Sequence, residues 1–151
     1  MARRLLRMLV VLPLVLLLVG CPSDPYRASL SGSAKVADAV HEAVTAEIDY
    51  YGMGKVTDEE KAVVAGYLNA VTDANMRFRH GATDLHNQGV VGKAAYLALA
   101  QVFVDSVPTD PLAFGYKNPD TQKKFNTVLG AVKAAINLVS LTVSNAKGAT
   151  Q

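Results

Sequence analysis

His80, Asp84 and His86 fall close together in this chain. Imidazole and carboxylate groups can hold a metal ion or move protons. Their spacing argues against a shared centre. On a helix of 3.6 residues per turn, His80 and Asp84 share a face, while His86 lies about 240° round from His80. A solvated stripe is expected instead, with Asp73 pairing Arg77 and His80 pairing Asp84. His41 follows the apolar Val40 and reads as an edge histidine. The Glu-x-x-His pairs of di-iron bundles are absent from the sequence, as are Gly-x-Ser-x-Gly, His-Glu-x-x-His and the phosphate-binding loop. Ser29 and Ser31 have no paired base nearby. No catalytic residue, metal or cofactor is assigned.

Two other features could bind rather than react. Asn75 sits among apolar residues, between Val71 and Phe78. A polar residue in such a seam sets helix register, or else contacts a ligand inside the fold. The segments Tyr50-Tyr51-Gly52-Met53-Gly54 and Leu112-Ala113-Phe114-Gly115-Tyr116 are aromatic and glycine-rich. Buried, their rings would cap the core. Exposed, Tyr50, Tyr51, Phe114 and Tyr116 would be candidates for docking a partner, because aromatic side chains dominate interface hot spots.

The first twenty residues have the three parts of an export signal. Arg3, Arg4 and Arg7 are followed by an apolar run that ends at Gly20. From Met8 the run is shorter than the roughly 20 residues a spanning helix needs. It closes on Leu18-Val19-Gly20-Cys21, which resembles the lipobox of bacterial membrane lipoproteins. The resemblance covers residues 1–21. It implies cleavage between Gly20 and Cys21 and lipidation of Cys21, which becomes the first residue of the mature chain. With two or three acyl chains, such an anchor is stable where one chain is marginal. Cys21 is the single cysteine, so there is no disulfide framework. Pro22 stands where inner-membrane retention signals carry aspartate. The implied site is the outer membrane, facing the periplasm, if the cell is Gram-negative.

The whole chain carries 15 Lys+Arg against 13 Asp+Glu. Removing the three arginines of the signal leaves a formal charge of −1, so the basic balance does not point to nucleic acid. Residues 21–33 hold prolines, glycine and serines without apolar periodicity and read as a flexible tether.

Residues 34–147 read as a helical domain. Ala37, Val40, Val44, Ile48 and Tyr51 recur by threes and fours, giving a first helix over about 34–51. Thr57-Asp58-Glu59-Glu60 is a capping box opening a second, which runs to about Asn87. Its interior Gly81 permits a bend. A third, about 91–107, is apolar nearly all round and is expected to be buried. Asn118-Pro119 opens a fourth, with Phe125, Leu129, Val132, Ile136, Val139 and Val143 on one face. The expected fold is an all-α, antiparallel four-helix bundle, with short helices one and three packed on long helices two and four. The expected function is a small lipid-anchored envelope protein that is not an enzyme and binds a protein or other envelope component. The alternatives are a carrier of an apolar ligand within the bundle, or a phage- or plasmid-encoded exclusion or lysis lipoprotein.

Overall fold

A computed structural model describes residues 24–108 and 115–147. Among them are four helices and no strand: α1 Pro25–Gly52, α2 Asp58–Asn87, α3 Lys93–Ser106 and α4 Pro119–Ser144. The fold is the expected antiparallel four-helix bundle. Gly20, Cys21 and Phe114 lie outside the described residues.

Local chemistry sets the helix starts. Thr57 accepts from the Glu60 amide at 3.2 Å, and the Glu60 carboxylate accepts from the Thr57 amide at 2.7 Å. This is the capping box read from the sequence. Asn118 accepts from the amides of Asp120 and Thr121, with Pro119 in the first turn.

The first helix departs from expectation. It begins at Pro25, not near residue 34, so residues 25–33 are helix rather than tether. Asp24 is its N-cap and accepts from the Arg27 amide at 2.8 Å. Composition misled because small residues serve two ends. In a linker, Gly and Ser give freedom. Here Ala28, Ser29, Gly32 and Ser33 are buried and let two helices close on each other. A Cβ on Gly32 would stand 3.2 Å from the Val139 Cα of α4.

That close approach also turns α1 about its axis. Its buried face is Ala28, Gly32, Val36, Val40, Ala43 and Glu47. The stripe assigned to the core from its bulk lies largely outside: Ile48 is 61% and Tyr51 38% exposed.

Helix α1 packs most extensively on α4, then on α2. Helix α3 lies between α2 and α4, with slighter contact to α1. The helices α2 and α4 make no close backbone contact, so the two expected long partners stand at opposite corners. The long helices are α1, α2 and α4, each about 40 Å at 1.5 Å per residue. Helix α3 is not buried all round. Tyr96, Ala100 and Phe103 face the core, while Val102 is 64% exposed. Gly81 has a steric use: a Cβ there would lie 2.9 Å from a methyl of Leu99, which α3 lays against α2. Helix α4 is long and apolar enough to cross a membrane by composition. Its Phe125, Leu129, Val132, Ile136, Val139 and Val143 stripe is core, as its periodicity predicts.

Candidate functional site: a groove between the first two helices

The outer faces of α1 and α2 enclose a groove of about 450 Å3, within the size range of small-ligand sites. The residue types explain the space. Ser33, Ala34 and Ala37 contribute little volume on the α1 side, while Val44 and Met76 extend the apolar lining.

Asn75 projects into it from α2 and is 8% exposed. Its Nδ2 donates to the Ser33 carbonyl oxygen at 3.0 Å, which fixes the amide across the helix pair. Its Oδ1 is buried and has no partner. A buried acceptor without a donor costs about 1–3 kcal/mol. The two readings of Asn75 thus coexist. One end of the amide sets the packing of α1 against α2, and the other is a buried acceptor in the groove wall.

Arg79 and His41 are exposed lining residues of the same groove. Because α1 and α2 are antiparallel and Asn75 bonds Ser33, Arg79 lies toward Leu30 and His41 toward Val44. The groove therefore combines an apolar length, one buried acceptor and a cation toward one end. Arg79, Met76 and Ala34 were not singled out from the sequence, and Ala37 was read as part of a core face. A signal existed: Leu30, Ala34, Ala37, His41, Val44, Ile48 and Tyr51 keep three-and-four spacing on a second stripe of α1.

The His80–Asp84–His86 segment does not converge. All three side chains are exposed, and His86 stacks on the Tyr26 ring with centroids 4.1 Å apart. Among the described residues the one ion pair is Asp24 with Arg27, so the expected pairs Asp73–Arg77 and His80–Asp84 are not formed.

Of the aromatic candidates, Tyr116 and Tyr50 cap the core. Tyr116 is 8% exposed and stacks on Phe125 at 4.9 Å, while half-buried Tyr50 meets the same ring edge-on at 6.0 Å. Tyr116 therefore offers no docking face. Burial, then the nearby Glu60 and Glu47 carboxylates, push its phenol above the ordinary range. Tyr51 faces outward. Its hydroxyl donates to Asp58 at 2.7 Å, and the Lys61 ammonium lies 3.8 Å from its ring centroid.

Two buried carboxylates flank this end, with their pKa values displaced in opposite directions. Burial pushes Glu60 up, but hydrogen bonds from the Thr57 and Lys117 amides, each 2.7 Å, outweigh it and hold the group below its usual range. Glu47 is 4% exposed and its Oε1 has no partner. Burial raises its pKa against a smaller opposing effect of Lys61.

No known protein family, curated protein or solved structure matches this chain.

Proposed function

We propose that this chain is a small lipoprotein held at the cell envelope through Cys21, and that its bundle is a non-catalytic binding module. The ligand is an amphiphile in the α1–α2 groove. It has an elongated apolar body, an N–H or O–H that reaches Asn75 Oδ1, and an anionic group that reaches Arg79. The single observation that carries this reading is the buried, unpartnered Asn75 carbonyl at an apolar groove. The lipobox-type signal supports the location.

The test uses the lipid-free domain and dansyl-aminoundecanoic acid, a fluorescent amphiphile with a sulfonamide N–H and a carboxylate. Wild type is expected to enhance and blue-shift its emission. Asn75→Leu leaves the ligand donor unpaired and weakens binding about tenfold or more. Arg79→Glu weakens it further. Equal binding by all three proteins would remove the groove from the function. For the anchor, Cys21→Ser is expected to leave an uncleaved or mislocalised precursor. Palmitate incorporated equally by wild type and mutant would sink that half of the reading.

A second reading, docking of an envelope protein, is favoured by the exposed cluster Ile48, Tyr51 and Met53 at the C-terminal end of α1. These are 61%, 38% and 62% exposed.

A further inference from the structure

We propose that the bundle stands end-on against its anchoring bilayer, with Val91, Leu141 and the cations Arg27, Lys93 and Lys147 meeting the lipid surface. The inference rests on acylation of Cys21.

The length of chain between anchor and helix carries it. Helix α1 is capped at Asp24, three residues after Cys21. Consecutive Cα atoms are 3.8 Å apart, so Cys21 and Asp24 are separated by at most about 11 Å. An acylated cysteine sits at headgroup level, and the polar zone of one leaflet is several ångströms deep. The first turn of α1 is therefore held at the bilayer surface. Had residues 25–33 been a tether, the domain could have stood well away.

The antiparallel order brings three more helix ends to that level: the C-termini of α2 and α4 and the N-terminus of α3. They are tied together there. Tyr26 of α1 stacks on His86 of α2, and the Lys93 ammonium of α3 donates to the Ser144 carbonyl of α4 at 3.2 Å. This end is a connected surface rather than four frayed tips.

Its composition fits a lipid surface. Val91 is 55% and Leu141 52% exposed. Arg27, Lys93 and Lys147 are exposed and outnumber the local carboxylates Asp24 and Asp84. The opposite end mixes both signs, with Asp49, Asp58, Glu59 and Asp120 exposed beside exposed Lys55, Lys117, Lys123 and Lys124. The position of the anchor decides which end meets the lipid, and the end beside it carries both exposed apolar groups and a small excess of cations. Anionic leaflets attract basic residues near their surface.

The experiment uses the full acylated chain in phosphatidylethanolamine–phosphatidylglycerol vesicles. V91C, L141C and M53C are labelled singly with bimane, since the acylated Cys21 sulfur does not react. Lipids carrying a nitroxide near the headgroup supply the quencher. Quenching at positions 91 and 141 is expected to be at least threefold that at 53. Equal quenching at all three, or strongest quenching at 53, overturns the proposal. Burial of the 91 and 141 labels without quenching, rising with protein density, assigns that end to a second copy and also overturns it. Mass spectrometry of the N-terminal peptide separates the two readings. An unacylated Cys21 overturns the anchor itself, whereas an acylated Cys21 with equal quenching overturns only the seating. Circular dichroism confirms the fold of each variant. If L141C loses helicity, K147C reports on the same end.

Discussion

Gly32 of α1 stands against Val139 of α4 so closely that a Cβ on the glycine would lie 3.2 Å from the Val139 Cα. The neighbour is backbone, which cannot rotate away. A branched side chain there must push α4 outward, and overpacking of a core costs about 1–3 kcal/mol or more. Gly32→Val is therefore expected to destabilise the bundle by at least about 2 kcal/mol. Gly66 is the control. It lies inside α2, and a Cβ added there would meet nothing within 4 Å, so Gly66→Ala should stabilise by about 0.5–1 kcal/mol. Urea titrations of both variants check the opposite signs.

Glu60 joins the start of α2 to the segment entering α4, through the amides of Thr57 and Lys117. Hydrogen bonds to charged groups contribute about 1.5–3 kcal/mol, so Glu60→Ala should cost about 2–3 kcal/mol near neutral pH. Because the folded pKa is lowered, this stability is present above the unfolded carboxylate value and is lost as pH falls through the folded value. The deficit of the variant should therefore shrink in acid. A deficit independent of pH would show that shape, not charge, matters here.

Glu47 should behave in the opposite sense. Its folded pKa is raised by burial, so protonation favours the folded state. The contribution is full below the unfolded pKa and is lost as pH rises through the folded one. Glu47→Gln, close in shape to the protonated acid, is expected to raise Tm at pH 7 and to leave it almost unchanged at pH 4. Thermal melts at the two pH values decide the matter. A Tm lowered at pH 7 would mean that the carboxylate has a partner worth more than its burial.

Asn75→Leu should separate binding from folding. It removes the bond to the Ser33 carbonyl but also the unpartnered buried Oδ1. The lost bond, worth about 0.5–1.5 kcal/mol, is offset by removal of an unpartnered buried acceptor that costs about 1–3 kcal/mol. Stability is expected to change by less than about 1 kcal/mol while probe binding falls about tenfold. Loss of fold in calorimetry would assign Asn75 wholly to packing.

Leu68 and Ile136 are 1% and 4% exposed, whereas His80 is exposed. Leu68→Asp and Ile136→Asp each place a carboxylate among apolar neighbours, at a cost of several kcal/mol against a total stability of about 5–15. Both should unfold the domain. His80→Ala should stay within about 0.5 kcal/mol. Far-ultraviolet circular dichroism with thermal melts reads all three.

The helix count, the starts of α2 and α4, and the core face of α4 were all legible in the sequence. They rest on local chemistry: a side-chain cap within three residues of its amide, and bulky apolar groups repeating at the helical period. Tertiary packing determined the use of the small residues. Ala28, Ser29, Gly32 and Ser33 have the composition of a linker, and only the proximity of Val139 turns them into a helix contact. The same contact fixes the rotation of α1, sending Ile48 and Tyr51 outward and leaving the groove beside Asn75. The sequence marked Asn75 as a polar residue in an apolar seam. Which of its two amide atoms finds a partner depends on Ser33, 42 residues away in the chain, and no local pattern encodes a distance of that kind.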